Sequence, residues 1–257
     1  MTQKEFDKLD KQSTIDMFNE IDKNYADLDL PIVKPVYKKD GSLKNEKEVK
    51  SSLKRLLPLL TTLWTTNLVI TEDKSVKTMI YTNTLINTLK KASNNKKTMI
   101  SVAEWQVIMK QTIAKRIKQV KIKQVIKGNA KRLNKNVQKI VIKMYKDGKS
   151  WVQTSKELQE VYKYNSSKAK SIAITEKNFY KSEAQIEATK GVDNVQKTWI
   201  HNGAREPRAS HFSANGQKAD KNGFFTVDGL KTKAPQHFGK PSQDINCHCT
   251  MRIDIEK

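Results

Sequence analysis

The chain has 257 residues and carries 49 Lys+Arg against 27 Asp+Glu, a formal charge of +22. Leu, Ile, Val and Phe fill 60 positions, just above the roughly 20 % below which a highly charged chain stays disordered, so modest folded cores are expected. The charge favours nucleic acid or another acidic surface as partner, and two cysteines are too few for the disulfide scaffold of a small secreted fold.

The first ten residues mix both charge signs and lack the apolar core of a secretory signal, so export by that route is not expected. Phe6, Leu9, Ile15, Phe18 and Ile21 are spaced for one or two short helices. Leu30-Pro31-Ile32-Val33-Lys34-Pro35 reads as a connector, because residues before proline are pushed out of the helical region. A helical series is predicted from about Val49 to Tyr145, with breaks near Thr71–Lys74, at 94–97 and at Gly128-Asn129, where apolar periodicity lapses. The uncharged stretch Leu56–Thr71 holds Pro58 and five threonines. It falls short of the roughly 18 apolar residues of a membrane span and is expected to be a buried helix, with no membrane partner.

From Val102 to Val120, the side chains of Val102, Trp105, Met109, Ile113, Ile117 and Val120 fall within an arc of about 120°, the mark of an amphipathic helix. From Ala130 to Lys146 the separation is sharper. Leu133, Val137, Ile140, Val141 and Met144 share one face, while Lys131, Arg132, Lys135, Lys139, Lys143 and Lys146 share the opposite one. Lys115 and Lys118 belong to the same basic stretch: Lys110 to Lys149 contains 14 basic residues and one acid, Asp147. Such a face is either simply solvated or a non-specific site for double-stranded DNA. Lysine is a point charge suited to phosphates, whereas base reading favours arginine, and only Arg116 and Arg132 lie here.

Gly148 is placed to close this helix, and Ser150 with Gln153 forms a capping-box pattern opening the next. That helix passes Leu158 and Val161, and another is predicted from about Ser167 to Gly191. Val195–Ile200 then reads as a strand, Asn222-Gly223 and Asp228-Gly229 as turns, and Pro235 and Pro241 punctuate a loop. Cys247 to Ile255 alternates as a strand would, with Cys247, Cys249, Met251, Ile253 and Ile255 on one side and His248, Arg252 and Asp254 on the other. The fold class expected is α+β: a mostly helical N-terminal region, 1–146, followed by a small C-terminal α+β module, 147–257, with an antiparallel sheet.

All four histidines and both cysteines lie in residues 201–257. His211, His237, Cys247 and Cys249 are therefore a candidate Cys2His2 set for zinc, which takes four such ligands in a tetrahedron. The same cysteines also fit small buried residues of a core-facing strand, or a redox pair. His248 is poorly placed to activate either neighbouring thiol, since adjacent side chains on a strand diverge. The nine glycines form no phosphate-cradling loop. Enzymatic activity is not expected; a zinc- or histidine-dependent nuclease or toxin, using His211 with Arg208 or Glu206, is the alternative, as is a cellular non-specific DNA-binding protein.

The second half carries an ordered series. Gly148, Ser150, Leu158, Ile172-Ala173-Ile174-Thr175-Glu176 and Gly191-Val192 precede Trp199. Arg208, His211, Asn215-Gly216-Gln217, Phe225, Gly229, Pro235, Pro241 and Asn246-Cys247-His248-Cys249 follow it. Over about 147–255 this series resembles the phage head morphogenesis, or Mu F-like minor head protein, family. Within it, Ala204 replaces a common acid, Glu206 a frequent basic residue, and His248 the usual arginine between the cysteines. The resemblance implies a minor component of a tailed-phage virion, assembled in the host cytoplasm and packaged inside the capsid near the portal. It also implies portal and capsid or scaffolding proteins as partners, beside DNA. With eight residues after Cys249, no fused enzymatic domain of the kind sometimes found behind such modules is expected.

Overall fold

The computed structural model describes residues 1–257 apart from 35, 37, 40–43, 96, 97, 120, 121, 148, 149, 204, 205 and 257, and leaves the side chains at 119, 122, 123, 145 and 146 undescribed. The elements run α1 (Gln3–Ala26), α2 (Glu46–Lys54), α3 (Leu56–Ala92), α4 (Val102–Gln119), α5 (Ile122–Lys146), α6 (Trp151–Ala188), β1 (Val195–Ile200), α7 (Ala209–Ser213), β2 (Phe225–Val227), β3 (Leu230–Thr232), α8 (Pro241–Asp244) and β4 (Thr250–Ile255). This is the expected α+β order, helical first, with a small C-terminal part of antiparallel strands.

The predicted breaks inside the long helices are absent. α3 runs through 71–74 because its polar side chains stay within the helix: Thr71 and Ser75 are buried, and the Ser75 hydroxyl donates to the Thr71 carbonyl at 2.6 Å. α6 is one helix of 38 residues where two were expected. At the expected gap the Asn165 amide donates to Val161 O at 2.8 Å, and the Ser166 hydroxyl donates to Asp22 Oδ1 at 2.5 Å, so a polar stretch is buried without interrupting the helix. α5 likewise continues through Gly128 and Asn129, and of the one or two short helices expected at the start of the chain, α1 is one helix of 24 residues. Pro58 is tolerated in the first turn of α3, where its missing N–H would have no partner. The capping box at Ser150 forms as expected: Ser150 N donates to Gln153 Oε1 at 2.9 Å and Gln153 N to Ser150 Oγ at 3.3 Å. Gly148 lies outside the described residues.

Contacts divide the chain into two compact units, 1–17 with 71–116 and 171–257, and 18–70 with 117–170. The expected boundary at 146/147 falls between α5 and α6, whereas α1, α3, α4 and α6 each supply residues to both units.

In the second unit, Leu133, Val137, Val141 and Met144 of α5 join the buried residues that include Ile21, Leu53, Leu60 and Trp64. Tyr25 meets Trp64 edge-on at 6.3 Å. In the first unit, Trp199 and Phe225 are fully buried in a cluster with Met79, Trp105, Phe179, Met251 and Ile253. Trp105 and Met109 enter this core as predicted, but Val102 is 75 % exposed. It stands at the first helical position, just past Ser101, whose capping box with Glu104 (2.9 and 3.3 Å) opens α4. The other end of that predicted face, Val120, lies outside the described residues.

β1 and β4 pair antiparallel with Trp199 opposite Met251 and Lys197 opposite Ile253. β2 and β3 form a hairpin closed by Asp228-Gly229, with φ of 54° and 69°, the left-handed pair that a two-residue turn of this twist requires.

Candidate functional site

β4 starts at Thr250, three residues later than the expected start at Cys247, so both cysteines lie in the loop just before the strand. The reason is local. Asn246 takes a left-handed φ of 56°, which breaks extended structure and turns both thiols inward. The loop is then pinned by buried amides: Asn178 donates to Cys247 O at 3.1 Å, and Gln236 donates to Cys247 O and Cys249 O at 3.0 and 2.9 Å. From α6, Thr175 Oγ1 accepts from Asn246 N at 2.8 Å and Gln185 donates to Met251 O at 2.8 Å.

His211, on the short helix α7, completes a cluster in which all three side chains are about 2 % exposed. Its Nδ1 lies 3.4 Å from Cys247 Sγ and 3.7 Å from Cys249 Sγ. The ring meets Trp199 edge-on at 5.6 Å and stacks near Phe238 at 5.7 Å. The tautomer follows from the network. Gln243 Nε2 donates to Asp228 Oδ2 at 2.9 Å, which leaves Gln243 Oε1 to accept from His211 Nε2 at 2.8 Å. Nε2 therefore carries the proton, and the Nδ1 lone pair faces the two thiols.

Hydrogen bonding from Cys249 lowers the Cys247 thiol well below its ordinary value against the effect of burial, with His211 adding to the fall. The same bond, with burial, raises Cys249. Burial is the largest influence on His211 and opposes its protonation, but the hydrogen bond and charge of Cys247 and the bond with Gln243 together outweigh it and raise the pKa.

His237 does not join the set. Its Nδ1 lies 2.9 Å from Pro235 O and its Nε2 2.6 Å from Glu183 Oε1, while its ring stacks on Phe179 at 4.5 Å. Both nitrogens are committed to oxygen atoms. Among the described residues, His211, Cys247 and Cys249 are the group brought within 4.8 Å of one another. Gln243 and Asp228 escaped the sequence reading, because neither residue type nor spacing distinguishes them; only the fold brings them behind His211.

The other motif residues build this site's walls. Trp199 N donates to Gln217 O at 2.8 Å and Gly216 N to Trp199 O at 2.9 Å, with Gly216 at a φ of 81°. Asn215 Oδ1 accepts from His201 N at 2.9 Å, and Arg208 Nη2 donates to Ile245 O at 2.6 Å. Residues 45–252 match the family described as phage Mu protein F like protein. The chain belongs to the phage Mu protein F-like family.

The family match reaches back to residue 45, well beyond the C-terminal half in which the sequence resemblance was visible. This Mu F-like chain is also 29 % identical over 125 residues to the NAD(+)–arginine ADP-ribosyltransferase EFV of Enterococcus faecalis. That similarity covers 46 % of the chain but only 25 % of the relative. No solved structure matches the chain.

The cationic face forms a second candidate site, in the other unit. Lys131, Arg132, Lys135, Lys139 and Lys143 of α5 are exposed, opposite the buried Leu133, Val137, Val141 and Met144. Lys118 is exposed as well, and so is Lys115 on the part of α4 that belongs to the first unit. The Lys146 side chain lies outside the described residues. Partial burial and the charge of Arg132 lower the pKa of Lys168, a mark of locally positive potential. Arg116 serves a different purpose. Its guanidinium makes a two-pronged ion pair with Glu176 at 2.8 and 2.9 Å and lies 3.9 Å over the Phe179 ring, so it is built into the fold. Among the described residues, no helix is long and apolar enough to cross a membrane.

Proposed function

We propose that this protein is a minor head protein of a tailed phage, made in the host cytoplasm and packaged inside the capsid near the portal, where it acts in head morphogenesis and associates with double-stranded DNA. Membership of the Mu F-like family across residues 45–252 is the observation that carries the head role. The DNA association is supported by the exposed cations of α5, which project from a helix anchored by its apolar face. Contact through lysines is electrostatic and independent of sequence. The portal and the capsid or scaffolding proteins are the protein partners in this reading.

The role is non-enzymatic. His211, Cys247 and Cys249 are enclosed by aromatic side chains, which suits a structural site better than one that must admit substrate. The similarity to an ADP-ribosyltransferase covers a quarter of that protein and lends this reading no catalytic residue.

Purified heads should contain the chain, protected from added protease until the capsid is opened, and procapsids or portal complexes should retain it. Intact heads that lack it, or digestion before opening, would overturn the head assignment. The DNA association is tested separately: Lys135→Glu with Lys139→Glu should abolish duplex binding at low salt while leaving the helical content unchanged.

A further inference from the structure

We propose that His211 Nδ1, Cys247 Sγ and Cys249 Sγ form a zinc site that ties α7 to the loop entering β4, with water as the fourth ligand. The donor spacing supports it. Tetrahedral zinc with its usual bond lengths to sulfur and nitrogen separates an imidazole nitrogen from a thiolate by roughly 3.6 Å. The two nitrogen-to-sulfur distances here are 3.4 and 3.7 Å. All three donor atoms lie within 4.8 Å of one another.

The surroundings support the same ligand. Asp228 orients the Gln243 amide, and Gln243 accepts from His211 Nε2–H, which turns the Nδ1 lone pair inward. Holding a ligand's far nitrogen in this way is how outer hydrogen bonds set a metal-bound histidine. The buried Trp199 Nε1 has no hydrogen-bond acceptor among the described residues. The backbone carbonyls of both cysteines are held by Gln236, so the thiols are positioned before any metal arrives. Two thiols and an imidazole select a borderline-soft ion, and zinc is the tetrahedral member of that class. On binding, each thiol loses its proton to solvent as its sulfur–zinc bond forms. The metal undergoes no redox change.

The full-length protein, reduced and stripped of metal, is titrated with Co²⁺ as a spectroscopic stand-in and then with Zn²⁺. One equivalent of Co²⁺ should give tetrahedral d–d bands and a sulfur-to-cobalt charge-transfer band, and one equivalent of Zn²⁺ should displace it. Cys247→Ser and Cys249→Ser should each remove about half of the charge-transfer intensity, since each takes away one of the two thiolates. Gln243→Leu should weaken affinity by about 10–100-fold. His237→Ala should leave the spectrum and stoichiometry unchanged, since His237 is bonded elsewhere. Circular dichroism on each variant separates lost folding from lost ligation. Octahedral cobalt without sulfur charge transfer, less than half an equivalent bound by folded wild-type protein, or full binding by a folded Cys249→Ser variant would each overturn the site. None of these results bears on whether the chain is found in heads.

Discussion

Lys177 and Lys181, one turn apart on α6, both reach the carboxylate of Asp10 on α1: Lys181 at 2.8 Å, Lys177 closer still, and Thr78 adds a hydroxyl at 3.3 Å. The Lys177 side chain is fully enclosed. Burial by itself would raise the Asp10 carboxyl, but the charges of Lys181 and Lys177 together hold it well below the usual carboxylate range. For Lys177 burial wins, and its pKa is lowered despite the attraction of Asp10. Asp10→Asn leaves that ammonium enclosed without a counter-charge and should destabilise the fold by about 3 kcal/mol, read as a fall in the urea midpoint. Because the folded pKa of Asp10 is depressed, its contribution is fully present above the unfolded carboxylate range near about pH 4. It is lost as pH falls toward the lower folded value, so the gap between wild type and Asp10→Asn should narrow in acid. Asn246 offers a second measurement. At a φ of 56° an alanine meets the left-handed penalty of about 1 kcal/mol and a glycine does not. Asn246→Ala should therefore lower the melting temperature, and Asn246→Gly should preserve it.

α5 has one face that stabilises the fold and another that carries the proposed DNA contact. Leu133 is fully buried, so Leu133→Ala should cost about 2–5 kcal/mol and leave DNA affinity per folded molecule unchanged. Lys135 is exposed, so Lys135→Ala should shift stability by no more than about 0.5 kcal/mol and weaken duplex binding. Denaturant melts paired with a mobility-shift assay check both halves. The faces of α5, the Ser150 cap, β1 and the Asp228-Gly229 hairpin were all legible in the sequence, because each rests on local periodicity or turn chemistry. The continuity of α3 and α6 was not. Asn165, Ser166 and Ser75 look like interruptions until tertiary packing supplies their partners. The candidate site divides in the same way. His211, Cys247 and Cys249 stood out as residue types, but the exclusion of His237 depends on Glu183, which lies 54 residues away in the sequence. Gln243 and Asp228 gained a role only through the fold.

At the scale of the whole molecule, charge and candidate metal chemistry lie in different units. Residues 117–170 hold 15 basic and three acidic residues and 18–70 hold nine and seven, so their unit carries +14 of the +22. The unit containing His211, Cys247 and Cys249 carries the remaining +8. A binding surface made of lysines works by displacing counterions from the duplex, so its strength is a function of salt. Five of the described cations exposed on α5, Lys131, Arg132, Lys135, Lys139 and Lys143, make up the face opposite the buried Leu133. At about 0.9 in log affinity per log salt for each phosphate contacted, full engagement of this face gives a slope near −4.5. Each charge-neutralising substitution on the face should reduce that slope by about 0.9 and weaken binding equally for all duplex sequences. Cys247→Ser, in the other unit, should leave the slope untouched. Fluorescence titration of a short duplex across a range of salt concentrations measures both. A slope near zero, or one that the α5 substitutions fail to change, would show that the positive charge of this helix serves something other than DNA.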